Sequence, residues 1–265
     1  MPDFLQKIVA HKRQEIAETA ARTPLAAMQA SASARRDDYR GFAAALAAPH
    51  RVHIIAEIKR ASPSRGDIGV GLDPAALARA YEAGGASAIS VLTERVFFKG
   101  SPEDLAAARS ATSLPVLRKD FILAPIQVYE SVAMGADAIL LIVRILPDDE
   151  LQSLYLLARD LGLDVLVEIH NEAEAARVNR MGARLVGINN RDLSHFGTDL
   201  DRARRVAAAL DPVTIVVAAS GIDGAAEIHS TVAAGVTRFL VGEALVRATD
   251  PATRLHAMLA AGGAS

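Results

Sequence analysis

Polar residues suited to proton transfer stand at the ends of short apolar runs in this chain. Glu57 and Lys59 end one run, and Lys119, Glu168 and Asn189 each end another. Alternate residues of a strand face the same side, so Glu57 shares a face with Lys59. Such groups are costly to bury unless they pair with each other or with a substrate. Two carboxylates and two lysines on one rim favour acid–base chemistry, because burial and opposite charges tune their pKa values.

Each of these charges also has a simpler explanation. Lys59 could be a lysine that reaches solvent at a strand end, and Glu57 could be its structural ion-pair partner. We favour that explanation for any one of them in isolation. Four charges on one predicted rim favour a functional site instead.

Two glycine-containing segments indicate where an anion would bind. Ser220-Gly221-Ile222-Asp223-Gly224 follows the seventh apolar run, and Gly242-Glu243 follows the eighth. Glycine lets backbone N–H groups approach an anion, and a helix amino terminus favours phosphate. Both segments could be ordinary strand-to-helix turns. Their position after the last two strands is what favours a phosphorylated small substrate.

The candidate site residues are positioned by eight aliphatic runs. Each run is followed by an Ala- or Leu-rich stretch with charges at helical spacing. The runs are His53–Lys59, Ser87–Leu92, Pro115–Lys119, Asp137–Val143, Asp164–Glu168, Arg184–Asn189, Thr214–Ala219 and Arg238–Val241. Eight strand-then-helix units predict an α/β fold, a closed (β/α)₈ TIM barrel with its chemistry at the carboxyl ends of the strands. An open Rossmann sheet is disfavoured because no Gly-x-Gly-x-x-Gly follows the first run.

Turn and cap signals separate the units. A glycine suited to the left-handed conformation ends five of the predicted helices: Gly85, Gly135, Gly162, Gly182 and Gly235. Helix starts are indicated by Asp73-Pro74, Ser101-Pro102 and Pro147-Asp148.

The residues before the first run form an addition to the barrel repeat. Apolar residues recur there at helical spacing, which predicts an amphipathic helix over about the first twenty residues: Phe4, Leu5, Ile8, Val9 and Ile16. Pro24 interrupts a second, Ala-rich helical stretch. Because no linker follows Arg51, we predict one domain over residues 1–265, with residues 1–50 as an N-terminal helical extension.

Composition excludes several classes of protein. The 265 residues are 51% hydrophobic and lack Trp, which predicts a large aliphatic core. A formal net charge of -2 argues against a nucleic-acid partner. The absence of Cys rules out disulfides and thiolate metal sites and is consistent with the cytoplasm. No apolar run is long enough for a signal peptide or a membrane span, so we expect a cytoplasmic protein that contacts neither membrane nor nucleic acid.

Several segments resemble a specific family. Ile55-Ala56-Glu57-Ile58-Lys59-Arg60-Ala61-Ser62-Pro63-Ser64 is similar to the A-E-x-K-R-x-S-P-S signature of the indole-3-glycerol-phosphate synthases. Further similar stretches follow in the same order, among them Leu92–Glu94 with Phe97–Ser101, Leu117–Ile122, Gly187–Leu193 and Phe239–Arg247. The resemblance runs nearly end to end. It implies conversion of 1-(2-carboxyphenylamino)-1-deoxyribulose 5-phosphate into indole-3-glycerol phosphate, with release of carbon dioxide and water and without cofactor or metal.

The resemblance also implies roles for matching residues. Lys119 would be the general acid at the ketone oxygen, and Glu168 would be the base that completes dehydration. Lys59 and Glu57 would flank the reacting centre, with Lys59 holding the substrate carboxylate or sharing the acid role, and Asn189 would orient substrate groups. The substrate-binding residues would be Ser62, Phe98, Phe121, Leu140, Arg191, Ser220, Gly221, Leu240, Gly242 and Glu243. We expect a monomer or a weak homo-oligomer.

One position departs from the family pattern. The family usually reads A-E-S-G-I after the seventh strand, whereas this chain reads Ala218-Ala219-Ser220-Gly221-Ile222. Either Glu57 and Glu168 suffice without a carboxylate at position 219, or activity is reduced. Residue type alone does not separate these explanations.

Four other functions remain open at this point. Phosphoribosylanthranilate isomerase and the tryptophan synthase α-subunit share the phosphate loops, although neither is expected to combine the Glu57–Lys59–Ser62 signature with Lys119. A Schiff-base aldolase could also use Lys119. A catalytically silent binding or scaffold barrel is conceivable because of Ala219.

Overall fold

A computed structural model describes residues 3–35, 38–48, 51–189 and 200–263. The first half of the chain contains α1 (Asp3–Arg22), α2 (Leu25–Ser33), α3 (Phe42–Ala45), β1 (His53–Ile58), β2 (Ala61–Ser62), β3 (Gly66–Asp67), α4 (Pro74–Ala83), β4 (Ala88–Leu92), α5 (Pro102–Ser110), β5 (Val116–Lys119) and α6 (Pro125–Ala133). The second half contains β6 (Ala138–Ile142), a 3₁₀ turn (Val143–Ile145), α7 (Asp148–Asp160), β7 (Asp164–Ile169), α8 (Glu172–Met181), β8 (Leu185–Ile188), α9 (Leu200–Ala208), β9 (Ile215–Ala218), α10 (Ala225–Ala233), β10 (Arg238–Val241), α11 (Glu243–Val246) and α12 (Pro251–Gly263).

Eight of the strands close into a parallel barrel in the order β1-β10-β9-β8-β7-β6-β5-β4. β1 closes the ring, since Ile55 pairs with Leu240 on one side and with Ala88 on the other. The predicted (β/α)₈ barrel is confirmed, and each predicted strand lies within one residue of the observed strand at either end. Strands β2 and β3 form a separate short hairpin at the carboxyl end of β1.

Local signals set the helix boundaries as expected. The Asp73 side chain accepts hydrogen bonds from the N–H groups of Ala75 and Ala76 and so begins α4. The Ser101 hydroxyl caps α5 by accepting from Asp104 N–H. All five predicted glycines have positive φ angles, between 72° and 90°, which lets each helix turn back toward the next strand: Gly85, Gly135, Gly162, Gly182 and Gly235.

Strand alternation separates the side chains of β1. Ile54, Ala56 and Ile58 belong to one buried apolar cluster, whereas Ile55 belongs to the other, which also contains Leu117 and Leu240. Burying an Ile side chain stabilises the fold by about 1.5–3 kcal/mol. The same alternation turns Glu57 toward the interior, on the side of Ile55.

The N-terminal segment covers both ends of the barrel. Phe4, Leu5 and Ile8 of α1 line the cavity at the carboxyl ends of the strands, and α2 packs along α6. At the opposite end, Ala43 N–H of α3 donates to Asp164, the first residue of β7. α1 therefore forms part of the barrel mouth. No helix within the described ranges is long and apolar enough to cross a membrane.

Candidate active site

A cavity of about 290 Å³ opens at the carboxyl ends of the barrel strands. Every predicted site residue within the described ranges lines it: Glu57, Lys59, Ser62, Phe98, Lys119, Phe121, Leu140, Glu168, Asn189, Ser220, Gly221, Leu240, Gly242 and Glu243. Arg191 lies outside the described residues. The fold therefore brings together residues separated by up to 186 positions in sequence, from Glu57 to Glu243.

Glu57 pairs with both lysines. Its Oε1 lies 2.8 Å from Lys59 Nζ, and its Oε2 lies 3.0 Å from Lys119 Nζ. Burial by itself would raise the pKa of Glu57, but the charges of Lys119 and Lys59 outweigh it and lower that pKa to about 2. Glu57 is therefore ionised at neutral pH and holds two ammonium groups beside the cavity.

Gly242 makes room for this cluster. A Cβ atom at position 242 would lie 2.5 Å from Glu57 Oε1 and 3.1 Å from Lys59 Nζ. Because β10 pairs directly with β1, only a residue without a side chain lets the end of β10 pass the Glu57 carboxylate.

Glu168 is oriented from the neighbouring strand. Asn189 Nδ2 donates to Glu168 Oε1 at 3.1 Å, and Ser220 Oγ donates to Asn189 Oδ1 at 2.8 Å. The hydroxyl fixes which end of the amide faces Glu168. A carboxylate held at the cavity wall in this way can accept a proton from a bound substrate.

Apolar and aromatic side chains form one wall of the cavity. The rings of Phe98 and Phe121 lie 6.0 Å apart at 40°. Phe98 is positioned by the buried Glu94, whose carboxylate accepts hydrogen bonds from the N–H groups of Val96, Phe97 and Phe98. A flat ring of a ligand would lie against this wall.

The loops after β9 and β10 form the opposite side. Gly221 has a φ of 80°, which turns the chain between β9 and α10, and Gly242-Glu243 leads from β10 into α11. Ser62, on the β2–β3 hairpin, also lines the cavity here. Arg65 Nε of the same hairpin lies 3.5 Å from Glu243 Oε2, which links the two loops. Hydroxyls and backbone N–H groups at helix starts suit a phosphate.

Some residues of the cavity wall were missed by the sequence reasoning. Leu5 and Ile8 belong to the apolar face of α1, which predicted packing but not a cavity. His170 follows Glu168 by two residues, so strand alternation could have placed it on the same face. Nothing in the sequence pointed to Arg144, which reaches the cavity from the turn after β6.

A closed (β/α)₈ barrel with a Lys–Glu–Lys cluster, an oriented carboxylate and glycine-containing loops at one end defines an enzyme of acid–base chemistry on a phosphorylated small molecule. Residues 5–258 match the family model for indole-3-glycerol phosphate synthase. The chain belongs to the indole-3-glycerol phosphate synthase family, whose members are carboxy-lyases of tryptophan biosynthesis.

Relatives that carry this family name are similar in sequence over nearly the whole chain. The indole-3-glycerol phosphate synthase of Desulfosudis oleivorans is 52% identical and covers 98% of this chain and 99% of its own. The protein of the same name from Acidithiobacillus ferrooxidans is 46% identical, with 97% and 98% covered. That from Syntrophobacter fumaroxidans is 45% identical, with 95% of each chain covered.

A solved structure shows the same fold at low identity. Thiamine phosphate pyrophosphorylase from Pyrococcus furiosus superposes with a TM-score of 0.60 at 18% identity, covering 80% of this chain and 96% of that chain. At this identity the likeness concerns the barrel alone.

Proposed function

We propose that this barrel converts 1-(2-carboxyphenylamino)-1-deoxyribulose 5-phosphate into indole-3-glycerol phosphate, with Lys119 as general acid and Glu168 as general base. The observation that carries the proposal is the shared carboxylate of Glu57. It holds Lys59 and Lys119 side by side in the same cavity as Glu168. Family membership supports the choice of reaction.

Lys119 acts in the ring-closing step. The ring carbon attacks the ketone carbon while Lys119 Nζ gives a proton to the ketone oxygen, which avoids a free alkoxide. The electrons come from the ring nitrogen, so the step needs no covalent nucleophile and no metal. Lys59, which pairs with the other oxygen of Glu57, holds the substrate carboxylate; as this group leaves as carbon dioxide, the electrons of its C–C bond return to the aromatic ring.

Glu168 acts in the dehydration step. It removes a proton from the decarboxylated, ring-closed intermediate, while the hydroxyl group takes a proton from Lys59, which shares the acid role, and leaves as water to yield the indole. Asn189 keeps the carboxylate in place through its amide N–H. General acids and bases of this kind contribute about 10²–10⁴-fold each.

The two ends of the substrate are bound on opposite sides of the cavity. Phe98, Phe121 and Leu140 face the anthranilate ring, and Ser62, Ser220, Gly221, Gly242 and Glu243 surround the phosphate. Leu240 of β10 also lines the cavity and contributes to substrate binding. Holding both ends folds an extended substrate into the reactive geometry.

Formation of the indole ring tests the proposal directly. Purified protein is mixed with the substrate, and the indole chromophore is followed by fluorescence. Phosphate-ligand binding without any indole signal would support the silent-barrel alternative instead. Borohydride added with substrate tests the aldolase alternative, because a Schiff base on Lys119 would be trapped as a covalent adduct detectable by mass spectrometry.

The localisation, oligomeric state and partners of the enzyme are part of the same proposal. We place it in the cytoplasm as a single-domain monomer or weak homo-oligomer, with no nucleic-acid or membrane partner. The acidic net charge of -2 and the lack of Cys support this setting. Sedimentation at several protein concentrations would measure the oligomeric state.

A further inference from the structure

His170 is a buried imidazole on the cavity wall for which the proposed reaction has no use. It follows the last residue of β7 and faces the same side as Glu168, two residues earlier. The side chain is 4% exposed, and its Nε2 lies 3.7 Å from Glu168 Oε1. A shift of about 0.5 Å would bring these atoms to hydrogen-bonding distance.

The other side of the ring is fixed by Glu174 on α8. Glu174 Oε2 accepts a hydrogen bond of 2.8 Å from His170 N–H and lies 3.3 Å from His170 Nδ1. Burial by itself would raise the pKa of Glu174, but its hydrogen bonds to His170 and the charge of Arg144 lower it overall. An ionised carboxylate only accepts hydrogen bonds, so Nδ1 carries a proton, and Nε2 is the nitrogen turned to Glu168.

Charged and polar groups of the described residues surround this arrangement. Arg144, from the turn after β6, lies 3.4 Å from Glu174 Oε1. Asn171, which begins α8, donates to the same oxygen at 3.3 Å. On the far side, Asn189 after β8 donates to Glu168. Glu174 is therefore held by several donors, whereas His170 Nε2 faces the Glu168 carboxylate.

We propose that His170 is a positioning residue that shares the proton taken up by Glu168 during dehydration. This rests on the proposed role of Glu168 as general base. Glu168 removes a proton from the ring-closed intermediate and passes it from Oε1 to His170 Nε2. The neutral imidazole becomes an imidazolium beside the Glu174 carboxylate, and Glu168 returns to its ionised form. The proton leaves to solvent when the product is released, and the lysines that gave protons take them up again from solvent, so each turnover begins from the same state.

The physical reason is the position of the proton relative to the product. A carboxylic acid at Glu168 could return its proton to the new indole ring, which would reverse the step. When the proton is on His170, as an imidazolium held by Glu174, it lies beyond Glu168 and farther from the indole ring. The arrangement of carboxylate, imidazole and carboxylate orients the ring as well, since Glu174 binds both its backbone N–H and its Nδ1.

His170→Ala with chemical rescue tests this role. We expect kcat to fall at least about tenfold and KM to change less than about twofold. Added imidazole should restore turnover at least about threefold, because it supplies a base at the vacated position. Pyrazole, a ring of the same size that is far less basic, should not. Equal rescue by both compounds would show that the ring only fills space and would overturn the proposal.

His53→Ala is the matched control. His53 is also buried on a barrel strand, but it stands at the start of β1, where its ring contacts Ser87 Oγ and the Ala48 carbonyl oxygen. We expect its kcat to respond to neither compound. Rescue of this variant by imidazole would also contradict the proposal, since the effect would not be local to Glu168.

His170→Asn keeps the test decisive if the Ala variant does not fold. Single-turnover rates of this variant should fall at least about tenfold, because the Asn amide is of similar size but takes up no proton from Glu168. Single-turnover rates and a kcat within about twofold of the unsubstituted enzyme overturn the role of His170. Glu168→Gln and the unsubstituted enzyme are measured in parallel. If the unsubstituted enzyme forms no product, the proposed function itself is wrong. If Glu168→Gln has a normal rate, the assignment of Glu168 as the base is wrong.

Discussion

Lys12 Nζ lies 2.9 Å from Asp120 Oδ1, and both side chains are 1% exposed. The pair joins α1, which covers the barrel mouth, to the residue directly after Lys119. Lys12 follows Ile8 by one turn, so the face of α1 that lines the cavity is the face that carries the buried lysine. Asp120 also accepts hydrogen bonds from Thr93 Oγ1 and Phe121 N–H.

Lys12→Met removes the charge while keeping an unbranched apolar stem. We expect the free energy of unfolding to fall by about 3 kcal/mol, the lower end for a broken buried ion pair, because Asp120 keeps Arg118 as a partner. KM should rise, since α1 loses its attachment beside Lys119. Denaturant titrations and steady-state kinetics measure the two effects. Arg13→Met, at an exposed position of the same helix, should change neither, and an equal loss there would contradict this account.

The free energy of unfolding should depend on pH in acid because of the ionisation of Asp120. Burial by itself would raise the pKa of Asp120, but Arg118 and Lys12 lower it to about 2, from an ordinary value of 3.8. A lowered pKa stabilises the folded state above pH 3.8, and that stabilisation is lost as the pH falls toward 2. The difference in unfolding free energy between the unsubstituted protein and Asp120→Asn should therefore be constant from about pH 7 to about pH 5 and narrow below about pH 4. Denaturant titrations across this range measure it, and a difference that widens in acid would refute the assignment.

Gly242→Ala should disturb the lysine cluster without removing any charge. The new methyl group would lie 2.5 Å from Glu57 Oε1, so the carboxylate or β10 must move. We expect kcat to fall at least about tenfold and stability to fall by about 1–3 kcal/mol. Gly71→Ala is the control, because a Cβ there meets nothing within 4 Å. Unchanged kinetics in Gly242→Ala would show that the position of Glu57 does not limit turnover.

Lys119→Met and Glu168→Gln test the acid and base assignments separately. Each should lower kcat by at least about 10²-fold. Ligand binding should persist, because the phosphate loops and the aromatic wall are untouched. Fluorescence for turnover and calorimetry for product binding separate the two effects. Near-normal turnover in both variants would contradict the assignment of Lys119 as the acid and Glu168 as the base.

Ala219→Glu tests the departure from the family pattern. Ala219 lines the cavity at the end of β9, and Glu168 is already held by Asn189 there. We expect turnover to change less than about tenfold, below the range of a catalytic acid or base. Ala219→Gln, which adds similar volume without charge, is the matched comparison. A large gain in the Glu variant alone would show that Glu57 and Glu168 do not suffice.

The sequence by itself determined the barrel, its strand limits and the rim on which the chemistry lies. These features depend on local rules, namely the period of the apolar residues, the glycines that end helices and the position of polar residues at strand ends. The motifs from Glu57 to Glu243 also identified the family. Local patterns of this kind need no knowledge of which distant segments meet.

Only the tertiary structure decided which atoms pair. Strand alternation in the sequence placed Glu57 and Lys59 on one face. Lys119 pairs with the same carboxylate because the closed barrel brings β5 within reach of β1. The sequence showed Ile8 as a core residue of a helix, whereas packing made it part of the cavity wall. His170 had no assigned purpose until α8 placed Glu174 against its ring. These relationships depend on distances between segments far apart in the chain, which residue spacing does not contain.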